Sequence, residues 1–176
     1  MDHVSPARRR PRRVVRSLLT ALALALGALF APGLGAVASA TETQAVAKLT
    51  HAQAADMFRS SGITWSSSGN CSDRNKPNCT SFTQLNRSSA QGAQTLKSAS
   101  RCALKITGGT ETGHASGTYS HWNGYKLDFS LSSCLTNYVT RTFTSIGGSK
   151  WKSASGNIYY RESNHWDVTF HNCGGC

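Results

Sequence analysis

Two short stretches of this chain hold the residue types that metal and acid–base chemistry need. "SHWNGYKLDF", Ser120 to Phe129, sets His121 and Asp128 seven positions apart with Gly124 between them. "ESNHWDVTF", Glu162 to Phe170, sets Glu162 three positions before His165. Two imidazoles and a carboxylate (His121, Asp128 and His165) make a competent ligand set for zinc, with the fourth position left open for water as catalytic zinc requires. A carboxylate beside that water but off the metal, here Glu162, would act as general base and then as acid. A closed structural site would need a fourth protein ligand, and the obvious donors, the cysteines, are better used in disulfides. Single residues carry far less. A lone His is most often a surface or hydrogen-bonded side chain, which is the reading for His51 and His171. Asp128 alone could be a turn carboxylate, and Glu162 alone could pair with Arg161. His114 could contact substrate or pin its own loop by hydrogen bonding.

The candidate residues work together only if the elements carrying them point them to one place. "YKLDFSL" alternates, sending Tyr125, Leu127, Phe129 and Leu131 to a core and Lys126, Asp128 and Ser130 to the opposite face. "NIYYRE" and "HWDVTFH" read as two strands with only Ser163-Asn164 between them. On one continuous strand Glu162 and His165 would face opposite ways. Across a two-residue hairpin they become cross-strand partners, with Cα atoms about 4.5–5.5 Å apart. Trp166, Val168 and Phe170 then fill the core while His165, Asp167, Thr169 and His171 share the other face. Upstream, "RCALKIT" is a strand with Cys102, Leu104 and Ile106 on one side, and "GGTETGHASGTYSHWNG" is a long Gly-rich loop of a kind that is usually functional or disordered. The spacing predicts three helices. One is capped by Thr50 and ended by Gly62, with Ala54, Ala55, Met57 and Phe58 on its apolar side. One runs from Thr80 or Ser81 through Ser100, and one is capped at Ser132 or Ser133.

"SHWNGYKLD" resembles the His-x-x-Gly-x-x-x-Asp motif of the zinc D-Ala-D-Ala carboxypeptidase family, and "ESNHW" resembles that family's Glu-x-x-His motif, often followed by Trp. The family includes dipeptidases of vancomycin resistance and phage endolysins, and the Hedgehog signalling domain shares its fold. The resemblance spans roughly Cys102 to Phe170. It implies a small α+β domain whose small antiparallel sheet carries the site, with zinc held by His121, Asp128 and His165 and Glu162 as catalytic base. There are two departures. Family members commonly carry an Arg after the preceding strand that can help polarise the scissile carbonyl, whereas "TGGTE" places Glu111 near that point. His114, Arg101, Arg161 and Tyr119 are candidates to replace it. Lys126 also stands where the family has a small residue two positions before the ligating Asp.

The remaining composition sets the compartment. "ARRRPRRVVR", then "SLLTALALALGALF", then "ASA" at Ala38–Ala40 reads as a signal peptide over residues 1–40, leaving one domain over 41–176. An uncleaved membrane anchor and, on Arg12-Arg13, a twin-arginine signal are the competing readings. The full-chain charge is +11; residues 1–40 hold six of the 19 basic and one of the eight acidic residues, so their removal leaves +6. The remaining cations are scattered singly, which argues against nucleic acid as a partner and suits an anionic surface such as a bacterial cell wall. All six cysteines follow the expected cleavage site, and an even count in an exported chain favours three disulfides. The preferred pairing is Cys71–Cys79, Cys102–Cys134 and Cys173–Cys176; a zinc site at the lone "CGGC" is the weaker alternative. The sum of these readings is a secreted, monomeric zinc peptidase acting on peptidoglycan stem peptides or cross-links, free of the membrane once processed. The rivals are a zinc-containing binding module with little or no hydrolysis, and a disulfide-rich enzyme of another kind, such as a nuclease. The last is disfavoured by the lack of a dense basic and aromatic patch.

Overall fold

The computed structural model describes residues 46–171, which lie within the compact unit Glu42–Cys176. The expected signal peptide and the Cys173–Cys176 pair lie outside the described residues. A two-residue strand β1 (Lys48–Leu49) leads into helix α1 (His51–Ser60). Thr50 caps α1 with a reciprocal box: its hydroxyl accepts from Gln53 N at 3.2 Å, while the Gln53 side chain accepts from Thr50 N at 2.9 Å. Next come β2 (Thr64–Trp65), β3 (Leu85–Asn86) and helix α2 (Arg87–Ser100). The second half of the chain contains β4 (Lys105–Gly108), β5 (Lys126–Ser130), helix α3 (Ser133–Thr142), β6 (Thr144–Gly147), β7 (Lys150–Lys152), β8 (Ile158–Arg161) and β9 (His165–Thr169). Ser132 caps α3, its hydroxyl accepting from Leu135 N.

The fold is α+β, but its sheet is not the small one expected. Seven strands pair in the order β2-β4-β5-β9-β8-β7-β6, with β2–β4 parallel and every other pair antiparallel. The additions are β2, too short to show a period, and the β6–β7 hairpin. All four β6 residues are exposed, so no apolar alternation marks that strand. A second correction concerns α2, which starts at Arg87 rather than Thr80 or Ser81. The backbone of residues 80–86 is used elsewhere: Ser81 O accepts from Thr110 N, and Leu85 and Asn86 pair with β1. Gln84 has φ +67°, a left-handed conformation that no helix interior can contain.

One face of the sheet builds the core. Leu127 and Phe129 of β5, Tyr159 of β8 and Trp166 and Val168 of β9 pack with Phe170, Ile106 and the apolar sides of α1, α2 and α3. Burial of each large side chain contributes roughly 1.5–3 kcal/mol. Trp166 is wholly buried and its indole N–H donates to Thr136 of α3. Cys102–Cys134 ties the approach to β4 to the start of α3, and Cys71–Cys79 closes the Ser- and Asn-rich loop after β2. On the other face, register carries a row of side chains across the sheet: Asp128 opposite Asp167, Asp167 opposite Tyr160, Tyr160 opposite Lys150. Among the described residues, no helix is long and apolar enough to cross a membrane.

Candidate metal centre

Alternation along β5 puts Leu127 and Phe129 in the core, so Asp128 must point to the other face, where it is 5 % exposed. Across from it, a register shift in β4 brings Gly108 opposite Asp128. A Cβ at Gly108 would collide with Asp128 Oδ2, so glycine there leaves room for the carboxylate. His121 sits in the turn before β5, closed by Gly124 N donating to His121 O at 2.8 Å and Tyr125 N to Ser120 O at 3.1 Å. Gly124 has φ +78°, and a Cβ on it would strike the backbone of residues 84–86, so both the turn and its packing require glycine. His165 enters from β9 through the Ser163-Asn164 hairpin, where Glu162 N donates to His165 O at 3.0 Å. That hairpin matches the expectation and makes Glu162 and His165 opposed residues, continuing the Arg161–Trp166 pair.

The ring nitrogens are sorted by their partners. His121 Nδ1 donates to the Gly109 carbonyl at 2.6 Å, and His165 Nδ1 to Asn164 Oδ1 at 2.7 Å. Each hydrogen bond leaves Nε2 as the free ligand atom, which is how a second partner orients a metal-binding imidazole. Both Nε2 atoms approach the same carboxylate oxygen, Asp128 Oδ1, at 3.2 Å from His121 and 3.4 Å from His165. That oxygen is buried and makes no hydrogen bond. A third imidazole completes the cluster. His114 Nε2 faces Glu111 Oε1 at 3.3 Å, its Nδ1 lies 3.7 Å from Asp128 Oδ2, and its ring stacks on His121 at 3.8 Å between centroids.

Among the described residues, the three whose ligand atoms all lie within 4.8 Å of one another, and so could hold a metal ion, are His114, His121 and Asp128. The sequence reading names His165 as third ligand instead of His114. His165 is brought to Asp128 but is not one of these three. Glu162 Oε2 lies 3.5 Å from His165 Nε2 on a side chain 37 % exposed, at the solvent side of the cluster.

Burial and the neighbouring imidazoles act in opposite directions on the Asp128 carboxylate. Burial disfavours the Asp128 carboxylate, but His121, His165 and His114 outweigh it and hold the group below its ordinary range. Burial likewise opposes charge on His121, yet Asp128, Asp167 and the Gly109 carbonyl draw its affinity for a proton upward. Three imidazoles thus face one buried carboxylate, and a metal ion would replace that competition with direct bonds.

Glu111, standing near the family's Arg position, is 3 % exposed and builds the loop. Its carboxylate accepts from Ser81 N at 2.7 Å and Gly109 N at 2.9 Å; despite burial, its hydrogen bonds to His114 and these amides keep its proton affinity below the ordinary value. Lys126 has a partner as well: its ammonium meets Asp167 Oδ2 at 2.6 Å, which neutralises a second carboxylate beside the cluster. Of the candidates for the missing Arg, only His114 is in the cluster. Arg101 follows the last residue of α2, Arg161 donates to the Glu162 carbonyl, and Tyr119 packs on Tyr125 and His171. The sequence reading missed the pairing of Glu111 with His114, whose only trace is their spacing of three residues in "ETGH". It also gave Asp167 no role. His51, as expected, is a hydrogen-bonded residue: its Nδ1 accepts from Phe82 N at 3.1 Å.

Beside the cluster, a cleft of about 280 Å³ is lined by His114, Ser116, Ser120 and Trp122 among others. Arg74, from the disulfide-closed loop, lies 3.5 Å from the Trp122 ring and donates to the Thr110 carbonyl, which holds this wall. Compared with known proteins, the chain matches no family model, no curated protein and no solved structure.

Proposed function

We propose that this protein is an exported zinc peptidase of the D-Ala-D-Ala carboxypeptidase type, cutting peptide bonds in peptidoglycan stems or cross-links. The observation that carries this reading is Asp128 Oδ1: a buried, unbonded carboxylate oxygen approached by two imidazole nitrogens whose opposite nitrogens are already tied to oxygen acceptors. In this reading His121, Asp128 and His165 hold the ion, with His114 close enough to join or replace one of them. When bound, zinc supplies a Lewis acid that polarises a carbonyl and acidifies water. Glu162, half-buried beside His165, takes the proton from the attacking water and returns it to the leaving amine. The cleft beside His114 and Trp122 receives the peptide. The two disulfides among the described residues are compatible with an exported protein.

A binding module without hydrolysis is the second reading. It is favoured by Glu111, which stands in place of the family's Arg and is committed to backbone amides rather than turned to a substrate. Metal analysis of the purified protein, together with mass spectrometry of defined muropeptides after incubation with it, separates the two. One zinc per chain with new muropeptide fragments supports the peptidase. One zinc with intact muropeptides supports the binding module, and the absence of zinc binding overturns both.

A further inference from the structure

The "KWK" of β7 alternates so that Trp151 packs against the core and meets Trp166 edge-to-face, which puts Lys150 and Lys152 on the face that carries the metal cluster. Register places them there in two rows. Asp128, Asp167, Tyr160 and Lys150 form one; Lys126, Thr169, Ile158 and Lys152 form the next. Lys150 Nζ lies over the Tyr160 ring, 4.9 Å from its centroid, so the ammonium leans back along the row toward the cluster. Neither lysine has an acidic partner. Every carboxylate side chain among the described residues is placed elsewhere: Asp56 with Arg59, Asp73 with Lys76, Glu111 with His114, Asp167 with Lys126, and Asp128 and Glu162 at the cluster. His171 also sits in this positive region; burial first, and then Lys152 and Lys126, make it harder to protonate. Three strand-to-strand steps separate β5 from β7, roughly 14 Å at about 4.8 Å each. An extended peptide covers that distance in about four residues.

We infer that Lys150 and Lys152, with the Tyr160 ring between them and the metal centre, form a subsite for a carboxylate on a peptide ligand, about four residues from the bond presented to Glu162. The inference rests on the peptidase reading for what happens at the metal centre, but the subsite is a matter of binding and is read by binding. An acidic peptide lying along this face brings its charge to two exposed, unpaired ammonium groups, while a neutral one leaves them in water. Pairs this exposed give modest selectivity, about three- to tenfold for the two lysines together.

The test uses a peptidoglycan stem pentapeptide in two forms, with free side-chain carboxylates and with the same groups as carboxamides. Binding is titrated calorimetrically into the zinc-loaded Glu162→Gln protein, so that turnover does not obscure it. The carboxylate form should bind three- to tenfold more tightly, the difference should shrink as salt is raised, and Lys150→Gln with Lys152→Gln should abolish it while the amide form binds as before. Lys150→Arg with Lys152→Arg should restore it, which separates charge from any loss of folding. Equal binding of the two forms, absence of binding by either, or a double variant that weakens both alike overturns the subsite. Carboxylate preference in a parent protein that cleaves neither peptide overturns the peptidase reading and leaves the subsite standing.

Discussion

Asp128 is the residue on which the centre turns. Its position on β5 was legible because Leu127 and Phe129 fill the core on either side of it, and strand alternation leaves it no other direction. Its two histidines were legible as motif members, but the hydrogen bonds that free their Nε2 atoms were not. The Gly109 carbonyl is twelve residues from His121 and reaches it only by folding of the loop. In the proposed reading Glu162 is the base and not a ligand. Glu162→Gln keeps the side chain's shape and one acceptor oxygen, so zinc content should stay at the parental value while muropeptide turnover falls on the order of 10²–10⁴-fold. His165→Ala should instead lower zinc content and activity together. Metal analysis and turnover measured on both variants check the assignment; turnover within a few-fold of the parent in Glu162→Gln would remove Glu162 as the base.

At the scale of elements, the Gly-rich loop between β4 and β5 is held by a buried carboxylate rather than by regular structure. Glu111→Gln leaves one oxygen to serve the amides of Ser81 and Gly109 and turns an N–H₂ toward them, so it should cost about 1–3 kcal/mol in urea unfolding at neutral pH. The folded protein holds the Glu111 proton affinity below its ordinary value. The stabilisation is therefore fully present above the ordinary glutamate range and is lost as pH falls through the lowered value. The gap between parent and variant should narrow in acid; a gap independent of pH would mean that ionised Glu111 is not what anchors the loop. The Cys102–Cys134 disulfide joins the approach to β4 to α3 across 32 residues. Replacing both cysteines with alanine should cost about 2–4 kcal/mol by the same measurement. The β6–β7 hairpin lay beyond sequence reading because its exposed strand lacks apolar alternation; pairing with β8 through Tyr160 and Tyr159 is what holds it in the sheet.

Across the described residues as a whole, helices cover one face of the sheet and ionisable groups gather on the other. The core and the candidate metal site therefore occupy opposite sides of the same strands. A metal that binds only the folded state stabilises it by mass action, about 2.7 kcal/mol at a concentration 100 times Kd. Thermal unfolding should accordingly move upward with added zinc, by roughly 2–8 °C for each kcal/mol, and return to the metal-free value with a chelator. Lack of any zinc-dependent shift in Tm, alongside a normal metal-free transition, would count against the centre.

By itself the sequence determined the periods: which side of β5 and β9 is apolar, that one helix starts at Thr50 and another at Ser132 or Ser133, and that Ser163-Asn164 turns the chain so that Glu162 and His165 face each other. These are local properties, written in alternation and in hydrogen bonds between near neighbours. Only the tertiary structure decided the size of the sheet, the shortening of α2, the pairing of Glu111 with His114, and the presence of His114 beside Asp128. Each depends on partners distant in the chain: β1 against β3, Ser81 against Thr110 and Glu111, and Gly108 opposite Asp128. Residues so far apart meet only when burial of the core brings their strands together, and no local pattern records that meeting.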